Sequence, residues 1–115
     1  SSREYADVFE TAARMFPQDP VANLNAANSA LLQGQDARAA AYLEKAGDSP
    51  QADYARGVLA VREGMAARGA EDAAKASAAF ARGASLFAKA ARGGIDVSQA
   101  EAALARLQAP EVEIF

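Results

Sequence analysis

Asn25 and Asn28 stand three residues apart in the run Asn23-Leu24-Asn25-Ala26-Ala27-Asn28. On a helix that spacing makes them neighbours on one face, a turn apart. Each carboxamide offers hydrogen-bond donors and an acceptor, so the pair has the chemistry to hold a polar partner. The same amides could equally bond neighbouring loops or stand in water.

Other chemistry is scarce. The chain has no histidine and no cysteine. It therefore lacks the side chain most used for acid–base work at neutral pH and the commonest zinc ligands. The nearest approaches to paired carboxylates are Glu71-Asp72 and Glu111 with Glu113. General acid–base catalysis needs two carboxylates held across a cleft with their pKa values pushed apart. Adjacent acids on a helix point different ways, and Glu71-Asp72 suits a helix N-terminus better. Arg92-Gly93-Gly94 has neither phosphate-loop spacing nor a following Lys-Ser/Thr, and reads as a helix terminator. The expectation is a chain with no catalytic residue, no metal and no cofactor, and so not an enzyme.

The elements that must position the asparagines follow from composition and punctuation. A length of 115 residues fits one domain and can bury a core without disulfides or metals. Hydrophobic residues make up 51% of the chain, and much of that is alanine, the best helix former. With β-branched residues scarce, the fold class expected is all-α. The net charge of −3 is scattered, with no basic run, which argues against nucleic acid or an anionic membrane as partner. No apolar run approaches the roughly 20 residues of a membrane span, so no membrane insertion is expected. No basic segment with an apolar stretch after it opens the chain. The absence of cysteine leaves the compartment open. The opening Ser-Ser, directly before a helical pattern, is what trimming from a precursor, excision as a domain or a cloning remnant would each leave.

The periodicity predicts six helices. The first spans residues 2–16, with Tyr5, Val8, Phe9, Ala12, Met15 and Phe16 at helical spacing. Asp19-Pro20 caps and opens a second, residues 20–33, which Gly34 ends. Asp36 is placed to cap a third, residues 37–46, ended by Gly47-Asp48. Ser49-Pro50 repeats the cap-plus-proline device for a fourth, residues 50–68, carrying Tyr54, Val58, Leu59 and Val61. A turn near Gly69 leads to a fifth, residues 71–91, with Phe80, Leu86 and Phe87 as core. Ser98 with Glu101 forms a capping box for a sixth, residues 98–107. Helices four and five are lengthened by a similar amount through residues 65–77, which keeps antiparallel neighbours paired. Residues 1–109 make one domain, and 110–115 form a non-helical tail alternating apolar and acidic residues.

Six helices with short connections suggest antiparallel pairs, close where small side chains meet. The run from Pro20 to Pro50 resembles the tetratricopeptide repeat of about thirty-four residues. Ala26 and Ala27 fall where that family has leucine and a small residue, Ala30 where an aromatic is usual, and Gly34 on the turn glycine. Ala39 and Ala46 fall on the small positions of the second helix, with Lys45 before the latter. Asn25 and Asn28 fall where the family often has asparagine, and Pro50 stands one place early for the closing proline. Helix one looks like the second helix of a preceding repeat. Helices four and five look like a third repeat, with Gly57 at the small position and Gly64 at the turn, interrupted by residues 65–77. Helix six looks like a solvating cap. The family's aromatic signatures are absent at their expected places, so the likeness does not set the helix-pair angle.

The resemblance implies a short right-handed superhelix of helix pairs whose concave face, on helices two and four, binds an extended peptide. It places Asn25 and Asn28 against peptide backbone or carboxylate. The carboxylate-binding subset of the family has lysine where this chain has Leu24, which offers apolar contact instead. Tyr54 and Arg56 could add an aromatic wall and a cation, or Tyr54 could be a core or rim residue. The runs from Asp7 to Gly34 and from Ala39 to Ala60 are also similar to C-terminal repeat domains of cell-envelope proteins in Gram-negative anaerobes. That likeness implies a module of a larger protein, periplasmic or outer-membrane-associated rather than cytoplasmic. The function expected is a non-enzymatic protein- or peptide-binding scaffold. The alternative is a docking or self-association domain with no separate ligand groove, which Val112, Ile114 and Phe115 would suit by filling either the chain's own groove or a neighbour's, the latter giving a homo-oligomer.

Overall fold

Asp19 and Ser49 begin two of the helices as their neighbouring prolines suggest. In the computed structural model, which describes residues 2–109, Asp19 Oδ1 accepts the Val21 N–H at 2.9 Å and the Ala22 N–H at 3.5 Å. Ser49 Oγ accepts the Ala52 N–H at 3.0 Å. Pro20 and Pro50 occupy first helical positions, where a missing N–H costs nothing. The tail at 110–115 and the side chain of Tyr5 lie outside the described residues.

The described residues form six helices: α1 (Ser2–Met15), α2 (Pro20–Leu32), α3 (Asp36–Leu43), α4 (Pro50–Gly69), α5 (Ala73–Arg92) and α6 (Ser98–Gln108). The described residues contain no strand, and the fold is all-α. Gly34, Gly47 and Gly94 take φ of 71°, 71° and 97°, the left-handed conformation that turns the chain after α2, α3 and α5. α4 and α5 have 20 residues each, so the segment 65–77 is two helix ends and a tight turn between equal partners.

Several local expectations are corrected. Asp36 does not cap α3. Gln35 takes that position without a side-chain bond, and the Asp36 carboxylate instead lies 3.4 Å from Arg62 on α4. α3 stops at Leu43 because the next amides tighten to three-residue bonds, Lys45 to Tyr42 and Ala46 to Leu43. Ser98 is the first residue of α6 rather than its cap. Its hydroxyl and its N–H both donate to Asp96 Oδ1, at 2.7 and 3.0 Å, and these bonds hold the Asp96 carboxyl below its ordinary range. Gly64 is not a turn residue but lies buried in the middle of α4. Gly69 closes α4, and the left-handed residue of the α4–α5 turn is Glu71, with φ 61°. A non-glycine residue there costs about 1–2 kcal/mol. Glu71→Gly is therefore expected to stabilise the domain by about 0.5–1 kcal/mol, net of its larger unfolded-state entropy, read as a raised urea midpoint at constant m-value.

α1 buries a different stripe from the one its apolar residues suggest. Glu10 and Ala13 face inward with Phe9 partly buried, while Val8, Met15 and Phe16 remain exposed. Glu10 is held by α3, accepting from Arg38 Nη1 and from the Tyr42 hydroxyl, each at 3.2 Å. Burial, then the charge and hydrogen bond of Glu10, raise the Tyr42 pKa above its ordinary 10.0. A raised folded-state pKa means the stabilisation is whole below about pH 10 and is lost as pH climbs through the folded value. Glu10→Gln is expected to move the Tyr42 titration back toward 10.0, measured by near-ultraviolet absorbance against a Tyr42→Phe reference.

Each helix packs on the next, and α2 also touches α4. The array is elongated, 57 × 30 × 26 Å, with a radius of gyration of 15.3 Å against about 13 Å for a compact domain of this length. One buried cluster joins α2, α3 and α4 and is mostly alanine: Ala27, Ala30, Ala39, Ala46, Ala52 and Ala55 with Leu31 and Leu43. A second joins α4, α5 and α6 around Phe80, Phe87, Val97 and Leu104, and Val58 packs against both. Alanine lets the first set of helices approach closely. In the α4–α5 hairpin glycine does so: Gly57 receives Phe87, Gly64 receives Phe80, and Gly83 sits under Val61. The three contacts run in opposite order along the two helices, as antiparallel pairing requires.

Candidate functional site

The contact between α2 and α4 leaves a groove of about 480 Å³ on one side. Asn28, Leu31 and Leu32, three and four residues apart, form the α2 wall. Gln51, Tyr54, Ala55, Val58 and Arg62 form the α4 wall on successive turns, and Ile95 closes one end from the α5–α6 connection. The interior is largely apolar, with the carboxamides of Asn28 and Gln51 on opposite walls. Leu32 is 86% exposed, an apolar side chain on the rim with no cover.

Tyr54 stands in this wall because its ring rests on Phe87, with centroids 5.5 Å apart and planes tilted by 49°. Tyr54, Val58 and Arg62 also line a second hollow of about 220 Å³ on their other side, completed by Ala100, Ala103 and Leu104 of α6. One row of α4 side chains thus divides two apolar depressions.

Arg62 bridges the groove's end. Its Nη1 donates to the Leu31 carbonyl at 2.6 Å and lies 3.4 Å from Asp36 Oδ1. The carbonyl also accepts the Gly34 N–H at 3.1 Å in the turn that ends α2, and a cation there favours the negative end of the helix dipole. The Asp36 Oδ1 atom is buried and makes no hydrogen bond, so its contact with Arg62 is one of charge.

The structure brings Asn28 and Tyr54 together and separates the other expected residues. Asn25 is exposed, one turn nearer the start of α2, and is not among the lining residues. Leu24 is partly buried against the α2–α4 core. Arg56 is turned away, donating from Nη2 to the carbonyls of Leu43 and Gly47 at 2.7 and 2.8 Å and holding the α3–α4 loop. The cation at the groove is Arg62. The spacing of Tyr54, Val58 and Arg62, four residues apart each time, carries the signal for that wall; Ile95 comes from a connection and carries none.

Asn23 proves structural. Its buried amide donates to the carbonyls of Pro17 and Asp19, at 3.0 and 2.9 Å, and fixes the α1–α2 turn. Asp53, also buried, lies 3.8 Å from Arg56 and 3.6 Å from Lys89, which links α4 to α5. Among the described residues no three acidic side chains gather where they could hold a metal ion, and no helix is long and apolar enough to cross a membrane. No protein-family model matches this chain, and neither a curated protein nor a solved structure matches it, so its groove is read from its own residues.

Proposed function

We propose that this chain is a non-enzymatic binding module, an array of tetratricopeptide-like helix pairs whose α2–α4 groove takes an extended segment of a partner protein. The observation that carries this reading is the convergence of Asn28 and Tyr54, from different helices, on one apolar groove. Apolar walls supply the driving force for burial, and facing carboxamides can pair with the backbone N–H and C=O groups of an extended chain. Sequential packing of the helices, with α2 also on α4, supports a repeat array, and the right-handed superhelix is part of the proposal. So is a place within a larger cell-envelope protein, which rests on the sequence likeness.

The test is capture from an envelope extract, followed by titration of the captured partner. An Asn28→Asp, Tyr54→Ala variant of confirmed fold is expected to bind at least about tenfold more weakly, the scale of one interface anchor lost. Asn25→Asp is expected to bind as the parent chain does. Equal binding by all three places the partner elsewhere.

One observation favours a second reading. Val8, Met15 and Phe16 are exposed on one side of α1, beside a shallow apolar hollow of about 360 Å³. A patch of this kind marks a contact surface. If the chain captures nothing and its sedimentation mass rises with concentration, self-association through this end is the better account.

A further inference from the structure

Tyr54, Val58 and Arg62 stand on successive turns of α4 and line two hollows. One is the α2–α4 groove, and the other lies between α4 and α6. The second, of about 220 Å³, is closed at its base by the buried Phe87 and Leu104. What it leaves open is the half-buried surface of Tyr54, Val58, Val61 and Ala100, with the exposed Ala103 at its edge.

The hollow exists because α6 brings small residues to this side. Ala100 and Ala103 form the α6 wall, and Val58 and Val61 belong to the α4 wall. The larger Leu104, with Val97 just before α6, lies in the buried cluster of Phe80 and Phe87. The last turn is fixed separately, where Arg68 Nη1 donates to the Leu107 carbonyl at 2.6 Å. α6 is thus anchored through other residues than its two alanines, and the space beside them stays unfilled. Protein interiors leave few such gaps, because the lining of a gap loses its dispersion contacts. An apolar cavity of about 150 Å³ already takes a benzene ring. The α6 hollow therefore has room for one leucine or phenylalanine side chain from outside.

Charge selects the kind of side chain. Among the described residues, Arg62 is the one charged residue in either lining. It already lies 3.4 Å from the Asp36 carboxylate and donates to the Leu31 carbonyl at 2.6 Å. A further charge entering either hollow would lose water with no opposite charge left to meet it. Uncharged apolar side chains are the complement of both.

Spacing selects the backbone. Neighbouring helices pack about 8–10 Å apart, which sets the scale between the furrows on two sides of one helix. In an extended chain, residues i and i+2 point the same way and stand about 6.6 Å apart. The difference is within the reach of a leucine side chain. A segment that crosses α4 over the Tyr54–Val58–Arg62 row can therefore set one side chain down on each side of it.

We propose that the α4–α6 hollow is a second subsite of the binding surface. The partner segment crosses α4 with one uncharged apolar side chain in the α2–α4 groove and another, two positions along, against Val58, Val61 and Ala103. This rests on the groove reading and extends its surface across α4.

The probes are capped serine peptides, one carrying two leucines two positions apart and one carrying a single leucine. Each is titrated into the full chain and followed by backbone amide NMR. The two-leucine probe is expected to move signals on both sides of the row, at Asn28 and Leu32 and at Ala100 and Ala103. It is expected to bind about tenfold more tightly than the single-leucine probe, whose shifts centre on the larger groove. Ala103→Leu fills the hollow from α6. It should bring the two-leucine probe down to the strength of the single-leucine one while the melting midpoint holds or rises, which separates a blocked site from a damaged fold. Aspartate in place of the second leucine should bind no better than serine there, and tighter binding would overturn the assignment of an uncharged side chain. Equal binding of the two leucine probes, or shifts that stop at the groove, would overturn the second subsite and leave the groove reading standing. Shifts at Ala100 and Ala103 with none at Asn28 and Leu32, or no shift at either place, would overturn both.

Discussion

Phe87→Ala is expected to destabilise the domain by about 3–5 kcal/mol. That is a large share of the roughly 5–15 kcal/mol holding a domain of this size together. Phe87 is 2% exposed, fills the notch over Gly57 and supports the tilted Tyr54 ring. Truncation leaves a cavity beside a glycine, which has no side chain to move into it. The cost then falls at the upper part of the range, because cavities that cannot collapse are the expensive ones. Urea unfolding measures it, and a loss below about 1 kcal/mol would show that the hairpin repacks around the gap. Phe80→Ala is the informative companion. It should cost a similar amount, yet it removes no support from Tyr54, so residual partner binding in the folded fraction separates the two.

The second large effect runs against helix propensity. Glycine in a helix interior is about 1 kcal/mol worse than alanine, so Gly57→Ala with Gly64→Ala would stabilise an isolated helix by about 2 kcal/mol. Here the added methyl carbons would stand 2.6 Å from the Phe87 and Phe80 rings. Both rings are buried and cannot swing away, and overpacking of this kind costs about 1–3 kcal/mol per site. The double variant is expected to lose about 2 kcal/mol net. Two controls identify the cause. Gly69→Ala, whose added methyl would meet nothing within 4 Å, should not destabilise. Gly57→Ala should be tolerated better in a Phe87→Leu background, since the smaller side chain makes room. Loss of stability that is the same in both backgrounds would assign the effect to something other than the ring.

Much of the architecture was legible because proline, glycine and capping residues mark helix ends by local chemistry. Asp19, Ser49, Gly34 and Gly94 act within a few residues of themselves, and their roles survive any packing. Asp36 and Ser98 match the same local rules and fail them, because a distant cation and a neighbouring aspartate compete for their side chains. Nothing local marks Glu71 as the left-handed residue when Gly69 stands two positions away; the lengths of α4 and α5 decide it. Gly64 shows the same limit from the other side. Its type suits a turn, and only the partner helix, with Phe80 at the matching place, makes it an interior residue.

The groove was half legible. Asn28 and Tyr54 were found through a likeness to a repeat family, and the structure sets both in one lining. Leu24 and Asn25 share the stretch but not the cavity, since the axial extent of a groove depends on what faces it. Arg56 and Arg62 are two cations on one helix, and the sequence does not say which will be drawn to a loop. The end of α3 and its following turn present the Leu43 and Gly47 carbonyls to Arg56, and the end of α2 presents that of Leu31 to Arg62.

The two buried clusters also divide the molecule by how readily it opens. The α2–α3–α4 cluster is alanine with two leucines, while the α4–α5–α6 cluster holds both buried phenylalanines. Less apolar area leaves water per residue at the first, so its amides exchange through smaller openings. In a chain where each helix leans mainly on its neighbours, such openings spread from the weaker end and stop at the stronger. The hairpin is thus the part that persists, and the α2 wall of the groove belongs to the part that breathes.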